Sequence, residues 1–388
     1  MIASRPDLAP GVALAAAPVA LGAGGRPDIS VVSSGHDVAD ARLHREVAAA
    51  RAAGLTVEVL ALGHPADGPC GADLRTRPRP RGVAARVALA VAQPWRAHGR
   101  VLLTLDPDVV PAALLAARLR RRPLVVDLHE DYLALLDDRP WSRGAVRGLL
   151  RAGVRAVLAA ARRADLVVVA DEHVPPATTR TGRQRLVVRN APSWSYLPPP
   201  SRPDPQPRAL YVGDVRRTRG LQTMLAALED APGWTLDVVG PVASADAAWL
   251  ERWRSSSTAA ARARFHGRMP PEAAWKLASG AWVGLSMLED TPAFHEAVPS
   301  KLYEYLAAGL AVATTPLPRA AEIVRASGGG VVVADAAALS ATLRSWAVRP
   351  EELEPVRAAA ARWARETFAG ISAYDELAGR LRELSRRP

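Results

Sequence analysis

The stretch Glu296-Ala297-Val298-Pro299-Ser300-Lys301-Leu302-Tyr303-Glu304-Tyr305-Leu306-Ala307-Ala308-Gly309 decides how this chain is read. Pro299 and Ser300 open a short helix and Gly309 closes it, with Ser300 as the expected N-cap and Gly309 as the C′ residue. The apolar runs Trp282–Met287 and Leu310–Ala313 flank it and read as strands. The order is therefore strand, loop with one acid, helix start with a second acid, strand. Two carboxylates, Glu296 and Glu304, and the unpaired N–H groups of a helix start meet in one place, where a phosphate is readily held.

At 388 residues the chain exceeds the ~250–300 at which one core stops growing, so two domains are expected. The single cysteine, Cys70, excludes an intramolecular disulfide framework and a Cys-rich metal site. The formal charge of +11 invites nucleic acid, anionic lipid or anionic substrates as partners. All but two of the 50 basic residues are arginine, however, and this Ala/Arg-rich, Lys-poor usage is that of a GC-rich genome. No nucleic-acid module is recognisable and aromatics do not interleave with the arginines, so no nucleic-acid partner is expected. Nothing approaches the ~18 uninterrupted apolar residues of a spanning helix. Residues 1–27 read as a disordered leader; Gly11–Gly25 faintly suggests a signal peptide, against which Asp7, Pro10 and Pro18 argue.

From Asp28 apolar strands alternate with amphipathic helices, which implies parallel sheets with right-handed crossovers. Ile29–Ser33, Thr56–Ala61, Arg100–Leu105, Leu124–Leu128, Leu166–Ala170 and Leu186–Arg189 are the expected strands of a first domain, 28–191, with Arg75–Arg81 as a basic loop. Pro192–Pro207, with seven prolines, reads as a stiff linker. The alternation restarts over 208–370, and a final helix over 371–388 is expected to pack back on the first domain. The fold class is α/β, two doubly wound Rossmann-like domains whose strand ends face across a cleft.

Three blocks resemble the nucleotide-sugar half of retaining GT-B glycosyltransferases, family 4: Tyr211-Val212-Gly213-Asp214 with Arg219-Gly220, Phe265-His266-Gly267-Arg268, and Pro299 to Gly309. Asp40 to Glu46 and Asp127-Leu128-His129-Glu130-Asp131-Tyr132 resemble a bacterial subset of it, so the resemblance covers roughly 28–370. It implies that Glu304 accepts from the donor ribose and that Glu296 contacts the donor sugar. Ser300, Lys301 and Leu302 would present backbone N–H groups to the diphosphate, with Pro299 beside the donor. Arg219 would clamp the phosphates, with Gly213 and Arg268 beside the donor. The family's second basic residue falls at Asp214, a departure that leaves Arg216 or Arg217 to substitute.

In the first domain Gly35 permits a tight turn close to the diphosphate. His129 would stand beside the transferred sugar, and His36, Asp106, Glu130 and Asp131 are candidates on the acceptor side; His173 is a weaker one. Catalysis would rest on His129, Glu296 and Arg219. Arg42 and Glu46 are read as an i, i+4 structural pair.

The implied reaction is hexosyl transfer from a nucleotide-diphosphate sugar to an acceptor hydroxyl, with retention, in envelope glycolipid or polysaccharide assembly. It needs no cofactor and no metal, because arginines and a helix start neutralise the departing diphosphate. Arg143, Arg147, Arg151 and Arg155 recur every four residues along one helix. Residues 139–163 thus suit an anionic membrane surface and a lipid-linked acceptor, which points to a cytoplasmic protein at the inner face of the plasma membrane. A core-packed helix with a solvated arginine face fits the same pattern. A GT-B-fold epimerase or phosphorylase relative, or an inactive partner subunit, is the alternative that Asp214 keeps open. A basic nucleic-acid or anionic-surface binding protein has only the charge in its favour.

Overall fold

The computed structural model describes residues 25–137, 144–171, 185–194, 196–370 and 372–387; residues 1–24, Trp141, Arg143 and His173 lie outside them. The first unit runs β1 (Ile29–Asp37), α1 (Ala41–Ala52), β2 (Val57–Leu62), β3 (Asp73–Arg77), α2 (Val83–Arg96), β4 (Val101–Thr104) and α3 (Val110–Leu119). It continues through β5 (Leu124–Leu128), α4 (Tyr132–Asp137), α5 (Gly144–Ala161), β6 (Leu166–Val169) and β7 (Arg185–Val187). The second begins β8 (Arg208–Val212), α6 (Leu221–Glu229), β9 (Thr235–Val239), α7 (Ser244–Ser256), β10 (Ala263–Gly267), α8 (Pro271–Lys276), β11 (Val283–Ser286) and α9 (Ser300–Ala307). It ends with β12 (Ala311–Thr314), α10 (Pro318–Ser327), β13 (Gly330–Val332), α11 (Ala336–Val348) and α12 (Leu353–Thr367); α13 (Ala373–Ser385) closes the chain.

Both sheets are parallel, in the orders β3-β2-β1-β4-β5-β6-β7 and β10-β9-β8-β11-β12-β13. Alternate residues of β1 point to opposite faces, as strand geometry demands. Ile29 and Val31 meet Leu43 and Val47 of α1 and Leu377, Leu381 and Leu384 of α13, whereas Val32 meets Ala113 of α3 and Leu158 of α5. The last helix of the chain therefore completes the core of the first sheet. Its start is fixed by a capping box between Ser372 and Asp375.

In the second sheet α9 lies directly on β11. A Cβ on Gly284 would fall 2.2 Å from the Tyr305 ring, so only glycine allows this approach. Strand order reverses between β1 and β4 in one sheet and between β8 and β11 in the other. At such reversals the loops beyond the carboxyl ends of the strands diverge and leave a crevice.

Four local expectations are corrected. Residues 73–77, expected to include the start of a basic loop, form the edge strand β3, paired along β2 from Glu58 to Leu62. Helices α4 and α10 were not read, although Pro318 at the first position of α10 is a start signal. The N-cap of α9 is Pro299, with ψ 134°, and Ser300 is already helical. The proline-rich segment does not span free but is fastened along the second unit. Trp282 Nε1 donates to the Asp204 carbonyl at 2.7 Å, the Gly280 N–H donates to Ser201 Oγ at 2.9 Å, and Arg357 donates to the Ser201 carbonyl at 2.8 Å.

Candidate active site between the two sheets

At the first reversal, the irregular end of β1, Ser33-Ser34-Gly35-His36, where its pairing with β2 shifts, forms a loop-like turn beside Asp106, which follows β4. The Asp106 carboxylate, 3% exposed, accepts from Ser33 Oγ, from the N–H of Ser34 at 2.9 Å and from that of Gly35 at 3.1 Å. Its other oxygen lies 3.0 Å from His36 Nδ1. A Cβ on Gly35 would fall 2.8 Å from that oxygen, so the loop closes here only around glycine. Asp106, read as an acceptor contact, thus builds the loop and is satisfied by it.

Burial alone would lower the His36 pKa, but Asp106, with Asp40 and Glu130 nearby, raises it to about 10. Burial would raise Asp106, and the His36 charge and the loop hydrogen bonds instead push it well below the carboxylate range. At neutral pH this is an imidazolium–carboxylate pair. Because the folded value of His36 lies above its ordinary 6.5, the pair stabilises fully below that pH and its contribution is lost as pH climbs through about 10. The stability difference between wild type and His36→Gln is accordingly expected to shrink over that window in pH-dependent urea unfolding. A difference that stays constant with pH would argue against the pair.

At the end of β5, Asp127 is fully buried and binds Arg42 Nε of α1, while His129 Nδ1 lies 3.4 Å from its second oxygen. Arg42 also donates to the Val188 carbonyl at 3.1 Å and to Asn190 Oδ1 at 3.0 Å. Its spacing to Glu46 is 3.7 Å, so the i, i+4 pair exists but Asp127 is the main partner. Burial, then Asp127, raises Glu46 well above the carboxylate range; Asp127, despite burial, is held ionised chiefly by Arg42. Asp40 caps α1, accepting from the N–H groups of Arg42 and Leu43. The His36 and His129 rings meet edge-on, 5.1 Å apart between centroids. Glu130 is exposed at the rim, and Asp131 accepts from the Leu133 N–H at the start of α4.

At the second reversal, the loop after β8 packs under the loop after β11. Gly220 (φ +87°) has room for no side chain, since a Cβ would lie 2.1 Å from the Met287 carbonyl oxygen. Arg219 stacks over Phe294 at 5.5 Å, and Arg216 reaches Asp214 at 3.3 Å. Arg217 turns the other way and is held by Asp246 of α7 through its Nε at 2.6 Å and its N–H at 3.1 Å. Lys301 lies over the Tyr211 ring at 3.7 Å, beside Gly213. At the start of α9 the N–H groups of Ser300 and Lys301 have no partner among the described residues, whereas that of Leu302 donates to the Pro299 carbonyl at 3.0 Å. Two N–H groups, not three, therefore point out of this helix.

One turn on, Glu304 is 2% exposed and bound by Arg45 Nη1 of α1 from across the cleft at 3.1 Å and by the Tyr196 hydroxyl of its own unit at 2.8 Å. Burial raises its pKa, while Arg45, Tyr196 and Ser300 counter that in part. Arg45 rests on the Tyr374 ring of α13 at 5.7 Å. Glu296 is different: its side chain is 58% exposed and lies 3.8 Å from His295 Nε2, outside this cluster. Its carbonyl accepts from Arg319, which also pairs with Asp171 of the first unit. Arg268 approaches Asp37 across the cleft at 3.9 Å. His266, quoted with Arg268, is bound to Asp237 at 2.7 Å.

The structure thus gathers His36, Asp106 and His129 on one wall and Gly213, Arg216, Arg219, Lys301 and Glu304 on the other; Arg217 and Glu296 point elsewhere. Sequence reasoning missed Arg45, Tyr196, Tyr211 and Asp127. Arg42, Arg45 and Glu46 share one helix face at i, i+3 and i+4, and three charges stacked there were the available signal. Among the described residues no helix is long and apolar enough to cross a membrane, and no group of three or more His, Cys, Asp or Glu could hold a metal ion.

Two doubly wound parallel sheets, opposed at their strand-order reversals, define a GT-B fold. Solved structures agree. The chain superposes on sucrose-phosphate synthase from Thermosynechococcus elongatus with TM-score 0.64 at 18% identity, covering 93% of this chain and 98% of that one. For HepE of Anabaena in complex with UDP and glucose the values are 0.65 and 14%, with 92% and 99% covered. For WaaG, a glycosyltransferase involved in lipopolysaccharide biosynthesis, they are 0.64 and 17%, with 91% and 99% covered. No curated protein matches. Residues 194–363, within the second unit and the segment that leads into it, match the family model of glycosyl transferases group 1.

Proposed function

We propose that the chain transfers a hexose, with retention, from a nucleotide-diphosphate sugar to an acceptor hydroxyl, without metal or cofactor. The observation that carries this is the opposition of a cationic helix start at one sheet reversal to the His36–Asp106–His129 wall at the other. The diphosphate would lie on the Ser300 and Lys301 N–H groups, with Arg219 and Arg216 supplying charge as the bridging oxygen becomes anionic. Glu304 would accept from the ribose, and Pro299, Gly213, Gly35 and Arg268 would border the donor. His129, fixed by Asp127, would face the transferred sugar. Retention accords with His36 being an imidazolium, which cannot serve as base at neutral pH and leaves that task to the departing phosphate. HepE, of the same fold, has been solved with UDP.

Calorimetric titration with UDP, GDP and ADP tests the reading: binding of at least one nucleoside diphosphate is expected, and binding of none would reject it. NMR of the product should show the donor's anomeric configuration; an inverted product would reject retention.

The acceptor is proposed to be lipid-linked, in envelope glycolipid or polysaccharide assembly at the inner membrane face. Support comes from α5, where Val146 and Leu149 are 54% and 76% exposed among Arg147, Arg151 and Arg155. Neighbouring helices expose Val83, Val87 and Val91 of α2 and Leu115 and Leu119 of α3. An apolar face among arginines fits an anionic interface. Co-sedimentation with phosphatidylglycerol vesicles should fall with salt and be lost on changing the three arginines to glutamate; binding that survives both would refute it.

A further inference from the structure

We infer that the ε-ammonium of Lys301 is itself a ligand of the nucleotide's phosphate chain, on a site whose loop offers the carboxylate of Asp214. This rests on the nucleotide-sugar reading and goes further by giving a side chain, and not only the backbone, to the phosphates. Lys301 is 6% exposed, and its Nζ has no hydrogen-bond partner. Lysine normally carries its charge out to water or pairs it with a carboxylate, because a buried uncompensated cation is costly. Here the side chain does neither. It folds back from the second residue of α9 over the Tyr211 ring, reaching 3.6 Å from where a Cβ on Gly213 would stand.

The carboxylates near it are otherwise engaged. Asp214 pairs with Arg216, and Glu304 is held by Arg45 and Tyr196. The Nε atoms of Arg216 and Arg219 are likewise buried without partners. Three cationic side chains with unsatisfied nitrogens, beside two free N–H groups of one helix start, describe the space of a multiply charged oxyanion. The amine rests on the face of Tyr211. Gly213 keeps it open.

Burial, and then Arg219, lower the Lys301 pKa well below the usual lysine range, against Asp214 and Glu304, which raise it. An arriving phosphate chain reverses that balance, so the amine takes a proton from solvent as the anion binds.

Calorimetric titration of the full chain with UDP, GDP and ADP, in two buffers of different ionisation enthalpy, separates the outcomes. Lys301→Met is expected to weaken diphosphate binding about 10–100-fold, to leave the matching nucleoside unaffected and to abolish the buffer dependence seen with wild type. Equal diphosphate affinity in wild type and Lys301→Met overturns the inference while the nucleotide reading stands. A wild-type chain that binds no nucleoside diphosphate overturns both. Should Lys301→Met fail to fold, Lys301→Arg takes its place. It keeps a charged donor, so binding without proton uptake is expected, and a buffer dependence equal to that of wild type overturns the inference.

Discussion

Arg42→Met is expected to lower folding stability by about 3–5 kcal/mol, the amount typical of breaking a buried ion pair from one side. Arg42 is 5% exposed and Asp127 is fully buried, so no water replaces the lost guanidinium. The substitution also strips partners from the Val188 carbonyl and Asn190, beyond the end of β7. Asp127 would then have to protonate or stay charged in a medium that opposes it. Its loss of charge also removes the carboxylate that stands 3.4 Å from His129 Nδ1. Urea unfolding of the single changes Arg42→Met and Asp127→Leu and of the double change tests this. The double variant should lose markedly less than the sum of the two singles, since with both charges gone nothing ionised is stranded. Strict additivity, or a loss below about 1 kcal/mol for Arg42→Met, would show that the pair is not the anchor of this wall.

Glu304→Ala is expected to weaken nucleoside diphosphate binding by about 100–1000-fold, the equivalent of two hydrogen bonds to a charged acceptor. Its oxygen Oε1 receives both Arg45 and Tyr196, so ribose hydroxyls bonding there would share or displace them. Arg45 is well placed to yield, since the Ala191 carbonyl and the Tyr374 ring lie beside it. The decisive comparison is between UDP and its 2′,3′-dideoxy analogue. Wild type should strongly prefer the ribose form and Glu304→Ala should not distinguish them. A preference that persists in the variant would assign ribose recognition elsewhere. Catalytic efficiency should fall in parallel, because the same contacts hold the donor in the transition state.

The fold was legible because parallel strands buried on both faces read as short apolar runs, and those of β5 and β11 were placed within a residue or so. Strand β3 was hidden because an edge strand with alternating arginine side chains has the composition of a loop. The site was legible where it depends on backbone: the glycines at 213 and 220 and the helix start at Ser300 are local geometry. It was not legible where it depends on who meets whom across the cleft. Nothing local tells that Glu304 faces Arg45, 259 positions away, or that Asp106 serves its own loop. Glu296 and Glu304 look equivalent in the sequence, yet one lies in solvent and the other is sealed between two sheets. Tertiary contacts, not spacing, separate their roles.

Helix α13 bears on how the molecule comes into being. Its leucines at 377, 381 and 384 fill the face of the first sheet that β1 and α1 begin to build some 330 residues earlier. During synthesis that half emerges first but is finished last, and its apolar face waits uncovered while the second half is made and folds. The order of assembly is thus the reverse of the order of translation: the half built around β8–β13 matures before the half built around β1–β7. Since Tyr374 of the same helix supports Arg45, the wall that meets Glu304 takes shape only once α13 has arrived.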